Sequence, residues 1–318
     1  MRRARRLTAA LILAAALPLQ AQTPECAPYA GATGRVCAAA VDGTRAFHPV
    51  VGLLTSGGNP VLGTAGTLGG LGRFSVTVRG NAARVVLPET GYDGTSATVP
   101  ASDDLFAPVP LVEAAAGIYE GLPSGLLAID LLASAQLLPT DQFDRLAVDQ
   151  DARRVGDVAL GLGYGARIGI LAEQGAVPAV SVSLMRRDIP ELAYGDLDEG
   201  DQYRYAVDLH ATNLRLVASK RLATVEIAAG LGWDKYTGDA VIQFRDSPVG
   251  GVEPAIALEL DQSRALLFLD AGLDLGLLQL VGELGYQTGK DQNLSTDFED
   301  FDTDGGRLFA GLGLRVGL

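Results

Sequence analysis

The sequence predicts an all-β fold: a transmembrane, antiparallel, up-and-down β-barrel of about ten strands, with twelve strands as the alternative. From residue 71 onward, apolar side chains alternate with small, polar or charged ones, and long connections alternate strictly with very short turns. A period of two is that of a β-strand. In a membrane barrel, lipid contacts the apolar face, and the crowded interior takes the small and charged residues.

Residues 1–21 have the pattern of a secretory signal peptide. Four Arg precede an apolar run from Leu7 to Leu17, and small residues precede the expected cleavage after Ala21. The run is too short to cross a bilayer. Removal of this segment leaves 21 basic and 38 acidic residues, a net charge of −17. No basic stripe then remains to neutralise phosphates, so nucleic acid is excluded as a partner.

Residues 22–70 are expected to form a periplasmic N-terminal segment or a plug. The chain contains two Cys, Cys26 and Cys37. Because an exported chain enters an oxidising compartment, they predict one disulfide. The glycine-rich stretch "GLLTSGGNPVLGTAGTLGGLG" predicts a turn, or a short helix that caps the periplasmic mouth of the barrel.

Residues 71–318 are expected to form the barrel. The alternating segments predict strands at 72–88, 111–121, 126–138, 155–171, 178–189, 203–219, 223–236, 255–277, 278–288 and 306–318. Five long polar connections on one side and four short turns on the other follow from these bounds. Outer-membrane barrels have an even number of strands, short periplasmic turns and long outer loops.

The alternation also predicts which side chains face the interior. A charge that faces lipid at the bilayer midplane costs ~2–4 kcal/mol for Arg or Lys. We therefore expect a charged set to face the lumen: Asp130, Asp157, Arg167, Asp208, His210, Glu226, Asp270, Asp274, Glu283, Arg307 and Arg315. An ion-pair network that fills the barrel is the first interpretation, and a charged conduction path is the second. The lipid-facing set is expected to include Leu160, Leu162, Ile168, Leu312, Leu314 and Val316.

The end of the chain resembles the C-terminal recognition signal of bacterial outer-membrane β-barrel proteins. In that signal a Gly is followed by apolar residues three and five positions later, as in Gly313, Val316 and Leu318. The family usually ends on Phe, whereas this chain ends on Leu. The resemblance implies location in the cell outer membrane of a Gram-negative bacterium, contact with outer-membrane lipid, and recognition by the barrel-assembly machinery.

A second resemblance lies before the first strand. Gly58, Asn59 and Pro60 look like the Asn-Pro element in the N-terminal hatch of the long-chain fatty-acid transporter family. Barrels of that family have fourteen strands, which is more than this chain predicts. The resemblance implies transport of a small or hydrophobic solute.

Two patterns are candidates for chemistry. Asp208 and His210 are expected on the same face of one strand, which is similar to the ten-stranded omptin proteases. Those enzymes also need an acidic pair on the opposite wall to activate water, and Asp103–Asp104 is the candidate pair here. A phospholipase would need a Ser and a polar residue beside a His at the rim, and no such set stands out.

The second pattern is an acidic loop. Asp300, Asp302 and Asp304 precede Gly305, as in the first half of a calcium-binding loop, but the closing Glu is missing. A solvated acidic loop is the alternative. No nucleotide fingerprint is present, and no cofactor is expected. We therefore expect a non-enzymatic outer-membrane barrel, either a narrow porin-like pore or transporter or a structural protein. A hydrolase that uses Asp208 and His210 is the alternative.

Overall fold

The computed structural model describes residues 23–122, 125–139, 146–148, 152–155, 158–246 and 250–317. In this part of the chain, ten long strands form a closed ring in which each strand pairs antiparallel with the next and the last pairs with the first. They are labelled in chain order: β1 Phe74–Pro88, β2 Ala101–Tyr119, β3 Ile129–Pro139, β4 Val158–Leu171, β5 Ala179–Tyr194, β6 Tyr203–Leu222, β7 Val225–Phe244, β8 Ile256–Asp274, β9 Gln279–Gln287 and β10 Arg307–Gly317. The predicted fold class is confirmed, with ten strands.

The connections alternate between the two ends of the ring as predicted, but their lengths do not alternate strictly, because 195–202 is one residue shorter than 120–128. The turns at 172–178, 223–224 and 275–278 and the described ends of 120–128 lie at one end, and the other connections lie at what is the extracellular end in barrels of this kind. Short additional strands lie among the long connections: Thr98–Val99 pairs with Asp297–Phe298, Leu146–Val148 pairs antiparallel with the end of β5, and Arg154–Val155 pairs antiparallel with the start of β4. Several strands are longer than predicted; β2 begins at Ala101 and β7 ends at Phe244.

A belt of apolar side chains covers the outer face of the barrel. Leu162, Ile168, Leu312, Leu314 and Val316 are exposed on this face as predicted, and Leu160 is half-buried on the same side of β4. On the extracellular side of this belt, the outer face becomes charged, with ion pairs such as Arg84–Asp104 and Lys235–Asp261. The apolar belt has the position and composition of a lipid-facing surface.

A 26-residue helix, α1 (Gly31–Ser56), lies inside the barrel. Most of its side chains are buried, and they pack against the inner faces of several strands. Phe47 lies 5.7 Å from Tyr205 on β6, and His48 lies 6.4 Å from Tyr236 on β7, measured between ring centres. Within the described residues, no helix combines the length and apolar character needed to cross a bilayer.

The first turns of α1 lie at the extracellular end, among the long connections. Thr33 donates to Asp246, and the carboxylate of Asp42 accepts from the backbone N–H groups of Ser295 and Thr296 at 2.8 and 3.0 Å. The predicted disulfide joins Cys26 to Cys37. It ties the 3₁₀ turn Pro24–Cys26 to the second turn of the helix.

After α1, residues 57–70 continue through the lumen to the periplasmic mouth, where Gly70 lies against Glu120 of the turn between β2 and β3. The chain therefore enters the barrel from the extracellular end and reaches the start of β1 from within. Residues 1–22 lie outside the described residues, so the signal peptide stays a prediction.

The path of residues 23–70 predicts that the mature N-terminus is displayed on the cell surface. An epitope inserted before Thr23 should be labelled by antibody on intact cells, because Thr23 Oγ1 lies 2.7 Å from Ser295 Oγ in a long connection. The same epitope inserted at Gly276, in a short turn, should be labelled only after the outer membrane is permeabilised. Labelling of the first epitope only in permeabilised cells would contradict the path.

Candidate functional site

Helix α1 ends near the middle of the barrel, and the wall holds the turn that follows it. Gly57 has a φ of +61°, and its N–H donates to Leu53 O at 2.9 Å, which closes the last turn of the helix. A positive φ at this position favours glycine. The chain then leaves the helix axis as Gly58-Asn59-Pro60 and descends toward the periplasmic mouth.

Two arginines of the wall bind the carbonyl groups of this turn. Arg79 on β1 donates to Ser56 O and Asn59 O, both at 3.2 Å. Arg215 on β6 donates to Gly58 O at 2.6 Å and Gly57 O at 2.8 Å. The C-terminal end of a helix carries partial negative charge, so two guanidinium groups stabilise it there.

Two carboxylates of the wall bind the donors of the same turn. Glu283 on β9 accepts from the N–H groups of Gly58 at 2.9 Å and Asn59 at 2.7 Å. Asp270 on β8 accepts from the side-chain amide of Asn59 at 2.7 Å and from Gly63 N–H at 3.2 Å. Arg79, Arg215, Asp270 and Glu283 are called the clasp below.

The charges of the clasp are balanced by further buried partners. Arg79 Nε lies 3.2 Å from Glu113 Oε2, and Arg187 Nη2 lies 3.0 Å from Glu113 Oε1. Arg215 Nη1 lies 2.6 Å from Asp234 Oδ1. The side chains of these pairs are at most 3% exposed. Burial of an unpaired charge in such an interior costs much free energy, so each of these charged side chains needs an ion-pair or hydrogen-bond partner.

A second group of polar residues holds residues 62–68 nearer the periplasmic mouth. Asp130 pairs with Arg167 at 2.7 Å and accepts from Leu68 N–H at 3.1 Å. Arg315 donates to Leu62 O at 2.7 Å. Glu226 accepts from Thr64 Oγ1 at 2.5 Å and from Ser219 Oγ at 2.9 Å, and Ser219 Oγ accepts from Ala65 N–H at 2.9 Å.

Below this group, a cavity of 460 Å³ opens at the periplasmic mouth between residues 61–68 and the strand ends. Glu173 lies on its rim, where a hydrogen bond from Lys220 lowers the pKa of the Glu173 carboxyl below its ordinary value.

Three of the inward arginines lie directly opposite a glycine on the neighbouring strand. The cross-strand pairs are Arg79–Gly313, Arg187–Gly163 and Arg215–Gly232. A Cβ at any of these glycines would come within 2.6–2.8 Å of the arginine side chain. The glycines therefore give each guanidinium room to lie along the wall and reach the clasp or its partners.

Most of the predicted lumen charges lie in the interior. Asp130, Arg167, Glu226, Asp270, Glu283 and Arg315 are buried there. Arg307 lies on the same face of β10 nearer the extracellular rim, with its guanidinium 4.3 Å from the centre of the Phe301 ring. Asp274 lies at the periplasmic end of β8, where its carboxylate accepts from Gly276 N–H. Asp157 lies outside the described residues.

The positions predicted for Asp208 and His210 are wrong, because both side chains lie on the outer face of β6. The ring of His210 pairs with Asp188 of β5 at 2.8 Å, and Asp208 accepts from Asp239 N–H at 2.6 Å. The inner face of this part of β6 is apolar or aromatic because it packs on α1, as at Tyr205 and Leu209. In this extracellular part of the barrel, charged side chains of the strand therefore face outward, whereas nearer the periplasm charged side chains face the lumen.

Sequence reasoning did not single out five buried charges of the site: Arg79, Glu113, Arg187, Arg215 and Asp234. The alternation of side chains along the strands could have placed them in the lumen. Arg215, for example, lies between Leu214 and Leu216, which face outward. Their joint role could not be found without the position of residues 56–60.

The acidic loop uses its carboxylates locally. Asp302 accepts from the N–H groups of Asp304 and Gly305 at 3.0 and 2.9 Å, and Asp304 accepts from Gln292 N–H. Asp300 has a φ of +56° in the same loop. Within the described residues, no three His, Cys, Asp or Glu side chains are grouped closely enough to share a metal ion.

The Asp130–Arg167 pair predicts a large loss of stability when one partner is removed. Asp130→Ala should lower the free energy of unfolding by ~3–5 kcal/mol, because it leaves Arg167 charged and unpaired in the interior. Urea unfolding in lipid vesicles, followed by the fluorescence of Trp233, measures the change. The control is Asp130→Ala with Arg167→Met, which should recover part of the loss. Equal losses in both variants would contradict the role of the pair.

The glycines opposite arginines predict different tolerance at two positions of β10. A Cβ at Gly313 would lie 2.6 Å from Val78 O and from Arg79 Cβ, whereas at Gly311 the nearest atom is Asn81 Oδ1 at 3.2 Å, which needs to give way by only a few tenths of an ångström. Gly313→Ala should therefore lower stability by ~1–3 kcal/mol through overpacking, and Gly311→Ala should lower it by less. The same urea assay compares them, and equal effects would argue against the crowding.

No family model matches the chain, and no curated protein resembles it significantly. Solved structures with a similar fold include the outer membrane protease OmpT of Escherichia coli, at 11% identity over 77% of this chain and 96% of that one, with a TM-score of 0.38. The translocator domain of the autotransporter NalP of Neisseria meningitidis is 12% identical over 86% and 97%, with a TM-score of 0.37. The toluene transporter TbuX of Ralstonia pickettii is 10% identical over 83% and 92%, with a TM-score of 0.30. Likeness at this distance carries no information on activity or substrate.

The closed antiparallel barrel and its apolar outer belt are the architecture of a bacterial outer-membrane protein, and we place the chain in that membrane.

Proposed function

We propose that this chain is a non-catalytic outer-membrane barrel whose resting state is closed by its own N-terminal segment, and which passes a small solute when residues 57–70 move. The observation that carries the proposal is the clasp. Four buried side chains from four strands hold one short turn at the middle of the lumen: Arg79, Arg215 and Glu283 bind its backbone, and Asp270 binds the side-chain amide of Asn59.

The support for a closed resting state is the extent of the network around that turn. Its members come from opposite parts of the ring, and they meet across the lumen, as when Glu113 on β2 pairs with Arg187 on β5. Helix α1 fills the lumen on the extracellular side of the clasp. Solute therefore has no wide aqueous path past this level in the described part of the chain.

The support for movement is the kind of contact that the clasp makes. It binds backbone groups of the turn through polar side chains, while farther along the segment Val61 packs in a small apolar cluster with Ala115, Leu132 and Met185. Such polar contacts can be exchanged for water or for a solute, and the periplasmic cavity of 460 Å³ gives the segment space to move into. The Asn59-Pro60 element, which resembles the hatch element of the fatty-acid transporter family, lies within the clasp, and we assign it the closing role. A purely structural barrel is the alternative.

The support for a non-catalytic function is the arrangement around His210. The predicted Asp208–His210 pair does not form, since the ring contacts Asp188 on the outer wall. Asp104 is bound by Arg84 through two hydrogen bonds of 2.8 and 2.6 Å. These groups lie on the outside of the barrel and do not converge on a shared site.

The clasp predicts that weakening one of its carboxylates opens the barrel. Glu283→Gln keeps the shape of the side chain but loses the charge that accepts two N–H groups and faces Arg79. Loss of hydrogen bonds to a charged group costs about 1.5–3 kcal/mol, which shifts a closed–open equilibrium roughly tenfold to a hundredfold. Conductance in planar bilayers should be rare for the wild type and frequent for this variant. The matched control is Glu259→Gln, an exposed position of β8 away from the clasp.

Two results would overturn the proposal. If the wild type conducts as steadily as Glu283→Gln, the resting state is not closed. If neither conducts, the clasp does not gate the lumen, and the structural alternative is favoured. Peptide and phospholipid hydrolysis should be assayed on the same refolded samples. Hydrolysis that is abolished by His210→Ala would replace the proposal with an enzyme.

A further inference from the structure

The barrel wall is interrupted between β2 and β3 on the extracellular side. Pairing of these strands ends at Leu111–Gln136. Beyond that point β2 remains paired with β1 up to Ala101, and β3 remains paired with β4 up to Pro139. Residues 107–109 and 138–139 therefore face each other across a seam without ladder hydrogen bonds.

Two prolines account for the interruption. Pro108 and Pro110 are two residues apart on β2. Alternate residues of a strand present their N–H groups to opposite neighbours, so both prolines lack a donor on the same edge. Pairing with β1 continues past them, through Ala82–Pro108 and Gly80–Pro110. The missing donors therefore belong to the edge that faces β3.

An apolar cavity of 80 Å³ lies behind this seam. Ala107 and Val109 line it from β2 and Leu138 lines it from β3, while Val51 and Leu54 of α1 form its inner wall. Continuation of the observed register would place Val109 opposite Leu138, so the cavity lies where the ladder is missing. Its lining is almost wholly hydrocarbon.

The seam opens onto the lipid-facing surface. Pro108 lines the cavity and is itself exposed on the outer face. At the same height the neighbouring outward residues are Gly80, Ala82, Ala310 and Leu312, all apolar or glycine. Arg84 and the exposed Phe106 form the next outward row toward the extracellular side, and Asp104, which pairs with Arg84, lies one row beyond. The entrance is thus at the upper edge of the apolar belt, directly below a pair that suits a lipid headgroup.

We propose that the seam between β2 and β3 is a binding site for the upper part of one hydrocarbon chain of a membrane lipid, whose headgroup lies at the level of Arg84 and Asp104. The occupant must come from the bilayer, because the entrance faces lipid and the lining is almost wholly apolar. A cavity of about 150 Å³ holds benzene, so a cavity of 80 Å³ takes only a few carbons of a chain. This site is separate from the clasp and does not require the lumen to open.

Fluorescence quenching by brominated lipid tests the site in the full chain. Trp233 is the single Trp, so it is first replaced by Phe. Leu138→Trp then places a reporter in the cavity. Leu137→Trp, one residue earlier, gives the lipid-facing reference, and Leu132→Trp gives an inward reference on the same strand that does not line the cavity. Each variant is refolded into vesicles of phosphatidylcholine that is brominated on the upper half of its chains, and into unbrominated vesicles.

We expect Leu138→Trp to show at least half of the fractional quenching of Leu137→Trp, and Leu132→Trp to show little. The quenching of Leu132→Trp measures how much bromine in the bilayer quenches an inward Trp across the barrel wall, and this amount is subtracted. Adding Ala107→Leu, which fills the cavity, should bring the quenching of Leu138→Trp down to that of Leu132→Trp. Quenching of Leu138→Trp that equals Leu132→Trp from the start would overturn the proposal, as would quenching that Ala107→Leu leaves unchanged. Neither result depends on whether Glu283→Gln conducts, so the two proposals fail separately.

Discussion

Helix α1 stops in the middle of a barrel, and its last carbonyl groups have no partners within the helix. No bulk water reaches this level, so the wall must supply the donors. Asn81 donates to Leu54 O at 3.0 Å, Arg79 donates to Ser56 O, and Arg215 donates to Gly57 O and Gly58 O. Much of the interior follows from this requirement. The arginines need counter-charges, which Glu113, Asp234 and Glu283 provide, and they need room, which the glycines opposite them provide.

The same helix divides the barrel into two zones with opposite patterns. Nearer the periplasm, the inner face of the strands is charged and the outer face is apolar. Toward the extracellular end, α1 presents apolar side chains, so the inner face becomes apolar and the charges move outward. On β8, for example, Leu258 and Leu260 are buried, whereas Glu259 and Asp261 are exposed. The strands continue beyond the lipid in this zone, and water rather than lipid meets their outer charges.

This division explains what the sequence could predict. The period of two was sufficient for the ten strands and for the direction of side chains such as Arg167, Leu314 and Arg315, which lie in the periplasmic zone. It failed at Asp208 and His210, because the rule that charge points inward depends on what fills the lumen. Residues 31–56 carry no clear helical stripe, since α1 is surrounded by wall on all sides and most of its length is buried. The pairing of Arg79 with Gly313 could not be inferred either, because it depends on a register between the first and last strands.

The seam between β2 and β3 limits how the barrel can open. Unpaired backbone groups are costly within a bilayer, and the cavity behind this seam is closed on its inner side by Val51 and Leu54 of α1. Displacement of the whole helix would therefore leave the weakest part of the wall without support. The helix is also tied at its extracellular end by the disulfide and by Asp42, which binds Ser295 and Thr296. Residues 57–70 have no comparable role in the wall: polar contacts hold Gly58 and Asn59, and the apolar packing of Val61 and Leu68 on Ala115, Leu132 and Met185 is a small cluster. Opening that begins with this segment preserves both the helix and the seam, so we assign the first movement to residues 57–70. Because α1 occupies the lumen on the extracellular side of the clasp, passage of a solute also requires a small shift of the helix that keeps Val51 and Leu54 at the seam.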